Sequence, residues 1–191
     1  MPSLKPYLPA IILCVICLVT TGLLSLTYEL TRAERTRQSE IAANTNRLAL
    51  FPDASGFETL SLPDGAPAGL SEITRAEDAN GQVMGYLFVA SKRGYGGQVP
   101  AMVAVDAEGT LVGVRVLGNS ETPGLGKKVE QTSFTGQFVG KLADTLFALD
   151  TSNNQLQPLD AISGATISSR AVMEAVNTAI EGYLALDKEG Q

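Results

Sequence analysis

The stretch Asp160-Ala161-Ile162-Ser163-Gly164-Ala165-Thr166-Ile167-Ser168-Ser169 runs directly into a long amphipathic pattern. Apolar residues recur there at spacings of three and four, which predicts a helix with one buried face. Those residues are Val172, Ala175, Val176, Ala179, Ile180, Tyr183 and Leu184. Ser168 or Ser169 is the predicted N-cap, because a serine oxygen can accept a hydrogen bond from a free amide of the first turn.

This arrangement predicts that Thr166 lies at, or just before, the positive end of the helix. Such ends bind phosphate, because unpaired N–H groups and the helix macrodipole both favour an anion. The first turn carries Arg170, and no acidic residue follows until Glu174. Gly164 and Ala165 leave room for a bulky ligand near the backbone. The sequence therefore indicates an anion site at Thr166.

The pattern Asp-x-x-Ser-Gly-Ala-Thr-x-Ser resembles the flavinylation motif of FMN-binding domains. The matching residues are Asp160, Ser163, Gly164, Ala165, Thr166 and Ser168. The resemblance implies that a flavin transferase links FMN to the hydroxyl of Thr166 through a phosphoester. A bare Ser-Gly-Ala-Thr sequence would favour an ordinary capped loop. The full spacing and the helix behind it favour the flavin interpretation.

A second stretch, Glu121-Thr122-Pro123-Gly124-Leu125-Gly126, closely resembles the other signature of the same family. A proline-fixed turn with two glycines brings backbone donors and Leu125 close to a flat ligand, which is how flavin rings are held. We therefore expect Glu121, Thr122, Gly124, Leu125 and Gly126 to bind the cofactor. By itself, the stretch would be interpreted as a hairpin connection. Tyr95, among glycines, fits a binding aromatic and a loop anchor equally well.

The overall composition excludes several classes of function. The 191-residue chain carries 14 basic and 20 acidic side chains and no histidine. The acidic balance argues against a nucleic-acid partner, and the lack of histidine excludes histidine-based acid–base catalysis and catalytic triads. No metal-ligand spacing is found. The length fits one soluble domain plus an accessory segment.

The N-terminal segment is predicted to cross a membrane. Residues Leu8 to Tyr28 contain no charged side chain, and at about 1.5 Å per residue they span about 30 Å, the thickness of a bilayer core. A cleaved signal peptide would have a shorter apolar region and a small-x-small cleavage site. Cys14 and Cys17 lie inside this segment, where thiolate formation is unfavourable, so they are interpreted as packing residues.

The orientation of the anchor is left open by its charged flanks. Lys5 and the α-amino group precede it, and Arg32, Arg35 and Arg37 follow it. This count slightly favours a cytoplasmic domain, but the positive-inside rule is weak for long domains.

The rest of the chain predicts an α+β fold with a twisted antiparallel sheet and flanking helices. A polar helix is expected to leave the membrane and to end at Phe51-Pro52, because the residue before a proline avoids helical angles. Residues 59–79 are expected to form a surface connection with a short strand. Three strands follow at residues 82–90, 99–105 and 111–117, with a hairpin turn at 106–109. A core-facing apolar stripe and a loop at residues 151–154 complete this region, and the stripe consists of Phe134, Phe138, Leu142, Leu146 and Phe147.

The predicted organisation is a membrane anchor at residues 1–31, transmembrane at about 8–28, a helical linker at 32–58 and one FMN-binding domain at 59–191. With its single anchor and its length, the chain resembles the G-subunit family of the Rnf (Rsx) electron-transport complex. That resemblance implies a single-pass bacterial inner-membrane protein with its domain on the periplasmic side. It also implies electron transfer among other membrane subunits of the complex, coupled to ion movement.

Three alternatives remain from the sequence. The C subunit of the sodium-translocating NADH:quinone oxidoreductase shares both motifs. A membrane-anchored sensor module would bind a small phosphate compound non-covalently. A self-contained flavin reductase ranks last, because neither a second cofactor domain nor a proton donor is evident. On the favoured interpretation the chain is an electron carrier, and an enzyme only as part of a complex.

Overall fold

A computed structural model describes residues 8–63, 65–149 and 155–189. The fold is α+β, as predicted: a long N-terminal helix, an antiparallel sheet, a region of short helices and a closing helix. The elements are α1 (Leu8–Leu50), β1 (Gly56–Leu60), β2 (Leu70–Glu77), β3 (Val83–Arg93), β4 (Gln98–Asp106), β5 (Leu111–Val116), α2 (Thr132–Thr135), β6 (Phe147–Ala148), β7 (Gln157–Pro158) and α3 (Thr166–Glu189), with 3₁₀ turns at Gly126–Glu130 and Gly136–Phe138. The chain divides into two compact units, with the boundary between Thr45 and Asn46.

The N-terminal part of α1 is the candidate membrane span. Its stretch Pro9–Arg32 is long and apolar enough to cross a membrane. Thr20, Thr27 and Thr31 each donate a hydroxyl hydrogen bond, at 2.8 Å, to the carbonyl four residues earlier. These polar groups are therefore satisfied within the helix itself, which suits an apolar surrounding.

The C-terminal end of α1 agrees with the proline rule. The helix stops at Leu50, directly before Phe51-Pro52, because the residue preceding a proline avoids helical angles. Phe51 is buried against one face of the sheet. Within the predicted linker, residues 32–58, regular helix thus ends at Leu50 and β1 begins at Gly56.

The sheet is a five-stranded antiparallel meander in the order β1-β2-β3-β4-β5. The three predicted strands are confirmed as β3, β4 and β5, although β3 extends to Arg93. The turn between β4 and β5 is also confirmed. Asp106 Oδ1 accepts hydrogen bonds from the N–H groups of Glu108 and Thr110, at 3.1 and 2.7 Å. Gly109 closes the turn with φ +83°, a left-handed conformation that glycine adopts easily.

The prediction of a surface connection with a short strand at residues 59–79 is only partly correct, because the region holds the end of β1 and all eight residues of β2. Partly exposed positions carry charge: Arg75 contacts Glu58 at 2.6 Å and Glu77 at 2.7 Å. Ile73 is buried in the core on one face of the sheet and Ala76 in the core on the other, and both are fully buried. Charged residues interrupt the apolar ones along both strands, so the two-residue alternation of a strand is weak in the sequence.

Helix α3 covers one face of the sheet with the predicted apolar stripe. Its buried residues pack on side chains that alternate along β3, β4 and β5, as the two-residue period of a strand requires. This core contains Val172, Ala175, Val176, Ala179 and Ile180 of α3 with Phe88, Val103, Val105 and Leu111 of the sheet. The intervening positions form a smaller core on the other face, with Phe51, Ala76, Leu87, Met102 and Ala104.

The region between β5 and α3 holds a cluster of aromatic rings. Phe138 meets Phe134 and Phe147 edge to face, with ring centroids 5.8 and 4.9 Å apart, a favourable arrangement for aromatic pairs. The predicted five-residue stripe is therefore only partly correct, because Leu142 is exposed and Leu146 is half-buried. The short helices end at Phe138, so Leu142 and Leu146 lie outside any helix and do not continue its buried face. The predicted loop 151–154 lies outside the described residues.

Candidate functional site

A cavity of about 560 Å³ is formed by three separate segments of the domain. They are the turn between β3 and β4, the loop after β5 and the start of α3. The volume lies within the range of small-molecule sites, about 300–1,000 Å³. The lining residues are Tyr95, Glu121, Thr122, Leu125, Gly126, Gly164, Ala165, Thr166, Ile167 and Ser168.

The start of α3 supplies one wall of the cavity. Gly164 adopts φ +77°, and Ala165 N–H donates to the carbonyl of Ile162 at 2.9 Å. This turn starts the helix at Thr166, whose side chain is exposed. The first amides of a helix have no intrahelical acceptor, and the first turn contains no acidic residue. This wall therefore favours an anion.

The predicted N-cap is wrong. Ser168 and Ser169 lie inside the first turn of α3, because the turn at Gly164 starts the helix two residues before Ser168. Both serines are buried and have other partners. Ser169 Oγ accepts from the N–H of Ile162 at 3.0 Å, and Ser168 Oγ donates to Glu121 at 2.5 Å.

The loop after β5 forms the opposite wall. Its conformation is fixed by Asn119, whose Oδ1 accepts from Glu121 N–H at 3.0 Å, and by Thr122, whose carbonyl accepts from Leu125 N–H at 3.2 Å. Leu125 is 48% exposed. A Cβ on Gly164 would lie 3.5 Å from Leu125 Cδ2, so the two sequence motifs meet in the cavity wall.

The carboxylate of Glu121 joins the three segments beneath the cavity. The side chain is only 2% exposed. Its Oε1 accepts from the N–H of Gly96 at 2.8 Å, and its Oε2 accepts from the hydroxyl of Ser168 at 2.5 Å.

Most of the predicted cofactor-binding residues lie around this cavity, and three do not line it. Those lining it are Glu121, Thr122, Leu125, Gly126, Gly164, Ala165, Thr166 and Ser168. Asp160, Ser163 and Gly124 are exposed and lie outside the lining. The backbone of Asp160 pairs with the side chain of Gln137, which accepts from its N–H at 2.9 Å and donates to its carbonyl at 3.2 Å.

Two lining residues were not predicted as cofactor ligands. Tyr95 is 74% exposed and lines the cavity, so it does not anchor its own loop. In the sequence, only its position within Gly94-Tyr95-Gly96-Gly97 indicates that Tyr95 could contact a ligand. Ile167 is 57% exposed, and an exposed apolar residue in a first turn cannot be recognised before the helix start is known. With Leu125, these side chains give the cavity an apolar rim.

The described residues contain no group of three or more His, Cys, Asp or Glu side chains suited to a metal ion. The two free cysteines, Cys14 and Cys17, are exposed on α1. The cavity thus combines an anion-favouring helix end, an exposed hydroxyl and apolar side chains. This set can hold a phosphate at one end and a flat ring at the other.

The family model of the FMN-binding domain matches residues 94–181, a range that includes every residue lining the cavity. The C subunit of the Na⁺-translocating NADH–quinone reductase from Parabacteroides distasonis has a similar structure. The TM-score is 0.50 and the identity 26%, covering 60% of this chain and 61% of that one.

Relatives of known name match over nearly the whole chain. The G subunit of the ion-translocating oxidoreductase complex of Methanosarcina acetivorans is 35% identical over 174 residues, covering 87% of this chain and 88% of the relative. The G subunit of the Na⁺-translocating ferredoxin:NAD⁺ oxidoreductase complex of Acetobacterium woodii is 31% identical, covering 93% and 91%. The chain therefore belongs to the G-subunit family of Rnf-type ion-translocating oxidoreductase complexes.

Proposed function

We propose that this chain is a membrane-anchored flavoprotein subunit that carries FMN on Thr166 through a phosphoester and passes electrons within an Rnf-type complex. The observation that carries the proposal is the position of Thr166. Its exposed hydroxyl opens into the cavity at the first residue of α3. An attached phosphate would therefore lie where free amides and the helix dipole stabilise negative charge.

The residues present fit the cofactor along its length. The phosphate would be held at Thr166 and the amides that follow it. Leu125, Ile167 and Tyr95 offer apolar and aromatic surface to the ring, and Gly164 allows the ring to approach the backbone. Flavin supplies the electron-transfer chemistry, and the protein supplies attachment, orientation and electrostatics.

A flavin transferase is the proposed partner during maturation, and the exposure of Thr166 is compatible with modification by another protein. The covalent link would prevent loss of the cofactor and leave the ring free to face its redox partners. Asp160, Ser163 and Gly124 remain proposed motif residues. Because they do not line the cavity, a role in recognition by the transferase fits their exposed positions better than contact with the ring.

The membrane organisation is also part of the proposal. Residues 1–31 would anchor the chain, 32–58 would link, and 59–191 would form the FMN-binding domain on the periplasmic side of the inner membrane. The apolar stretch Pro9–Arg32 supports the anchor. The family's assembly into membrane complexes supports other membrane subunits as partners, and the periplasmic side rests on resemblance to the family alone.

Denaturing electrophoresis under ultraviolet light tests the central point. The full chain is produced with and without a flavin transferase. We expect a fluorescent band only with the transferase, because a phosphoester withstands denaturation. A chain that binds flavin in its native state but loses it on denaturation would support the non-covalent sensor instead.

A further inference from the structure

Both carboxylate oxygens of Glu121 are already used by donors of the protein itself. Gly96 N–H reaches Oε1 at 2.8 Å, and the Ser168 hydroxyl reaches Oε2 at 2.5 Å. The side chain is 2% exposed. A carboxylate in this state has almost no surface left with which to contact a cavity occupant.

Two glycines make the space that this carboxylate fills. A Cβ on Gly94 would lie 2.5 Å from Oε1 of Glu121, and a Cβ on Gly126 would lie 2.6 Å from Oε2. Any side chain at either position would push the carboxylate away from its donors. Glycine at both positions is therefore what leaves room for the Glu121 carboxylate.

We propose that Glu121 is a positioning residue rather than a cofactor ligand: it fastens the turn that carries Tyr95 to the first turn of α3 and fixes the orientation of the Ser168 hydroxyl. This inference deepens the proposed function, since it assigns the role of a residue in the same site. The fastening itself does not depend on which molecule occupies the cavity.

The first consequence concerns the Tyr95 turn. Tyr95 lies directly before Gly96, and its own side chain is largely exposed, so it contributes little packing that would hold the turn. The bond from Gly96 N–H to Glu121 ties this turn to a buried group. Without that bond, Tyr95 is expected to move more freely at the cavity rim.

The second consequence concerns Ser168, which lines the cavity. Its hydroxyl proton is committed to Glu121, so its oxygen offers only lone pairs to an occupant. Glu121→Gln would reverse this bond, because the amide N–H₂ donates to Ser168 and the amide oxygen still accepts from Gly96. The variant keeps the fastening and releases the Ser168 proton.

The fastening is tested without cofactor, in the full chain purified in detergent from cells that lack the transferase. The chain contains no tryptophan, so Tyr95→Trp introduces a single fluorescent reporter on the turn. In this background, Glu121→Ala should lower the tryptophan anisotropy and increase acrylamide quenching. Glu121→Gln should leave both unchanged.

The control is Glu72→Ala, which removes a partly buried carboxylate that accepts hydrogen bonds from Arg47 and Thr74. It should leave the reporter unchanged and so separate loss of the fastening from general destabilisation. Unchanged anisotropy in folded Glu121→Ala, or equal losses in Glu121→Ala and Glu121→Gln, would overturn the proposal. If Glu121→Ala does not fold, the Glu121→Gln result and the flavin measurement below decide.

The role at Ser168 is tested on the flavinylated chain. Glu121→Gln should load flavin to the wild-type level and shift its visible absorption bands, because Ser168 lines the cavity and its hydroxyl can then donate to the bound cofactor. Thr178→Ala, which removes a buried hydroxyl of α3 that donates to the backbone carbonyl of Glu174, should leave the absorption bands unchanged. Lost loading with an intact Tyr95 turn would make Glu121 a ligand and contradict the proposal. Loading without any shift would contradict the Ser168 role. A wild type that takes up no flavin would refute the proposed function and leave the anisotropy result standing.

Discussion

At the scale of single residues, Thr166 combines high exposure with a place at the start of α3. An exposed hydroxyl of this kind contributes little packing. We therefore expect Thr166→Ala to change the free energy of unfolding of the unmodified chain by no more than about 0.5 kcal/mol. Chemical denaturation followed by circular dichroism measures this. A loss of several times that value would assign Thr166 a structural role.

Leu125 is expected to affect the flavin ring rather than its attachment. Leu125→Glu would place a negative charge beside a ring that becomes more negative on reduction, and the reduction potential should fall. At about 4 Å and an effective dielectric of about 20, the repulsion is about 4 kcal/mol as an upper bound. Because Leu125 is half-exposed, solvent screening reduces that figure.

Redox titration of the flavinylated chain measures the effect of Leu125→Glu. Leu142→Glu is the matched control, since Leu142 is similarly exposed and does not line the cavity. The control should keep the wild-type potential, and both variants should carry flavin on Thr166. Equal potentials in the two variants would mean that the loop lies away from the ring.

The sequence predicted which residues would gather at the site better than it predicted their roles. The helix behind the motif and the turn at Pro123 identified both walls of the cavity, because these features are local. The burial of Glu121 depends on Gly96 and Ser168, which are distant in sequence. Such a role can be seen only once the three segments are brought together.

At the scale of elements, local patterns predicted α3 and the hairpin of β4 and β5, whose periodicity and turn residues are strong. They predicted only one short strand in residues 59–79, which hold the end of β1 and all of β2, because charged residues such as Glu58 and Arg75 separate the few apolar ones. The start of α3 at Thr166 agrees with the prediction, but the predicted serine cap does not, because the turn at Gly164 starts the helix before either serine. In each case a tertiary contact or a backbone angle outweighs the local preference.

The packing of β3 against β4 leads to a stability prediction. A Cβ on Gly85 would meet the carbonyl oxygen of Val105 and lie 2.8 Å from Asp106 Cα, both of which belong to the backbone and cannot easily move. Gly85→Ala should therefore lower the free energy of unfolding by about 1–3 kcal/mol, as overpacking does. Gly56→Ala on β1, where a Cβ meets nothing within 4 Å, should have little effect. Similar denaturation midpoints for the two variants would contradict this account of the strand pairing.

At the scale of the whole molecule, an apolar helix and an FMN-binding domain belong to one chain. The sequence alone predicted this organisation, because an uncharged apolar run and the paired motifs are both evident without tertiary contacts. It did not predict the side of the membrane, since Arg32, Arg35 and Arg37 oppose the orientation that the family implies.

The proposed orientation leads to a topology prediction. A reporter enzyme that is active only in the periplasm, fused after Gln191, should be active. The same fusion with a reporter that works only in the cytoplasm should be silent and serves as the control. The opposite pattern would agree with the cytoplasmic orientation that the arginines after the anchor favour, and it would place the flavin on the cytoplasmic side.

The central claim is that FMN is covalently attached to Thr166, and intact-protein mass spectrometry tests it most directly. The full chain, produced together with a flavin transferase, should be heavier than the unmodified chain by one FMN less one water. The modified peptide should contain Thr166. Thr166→Ser keeps a hydroxyl at the same place and should still be modified, whereas Thr166→Ala should not. An adduct on the Thr166→Ala chain, or an unmodified wild type beside a known flavinylated protein that is modified in the same cells, would contradict the account.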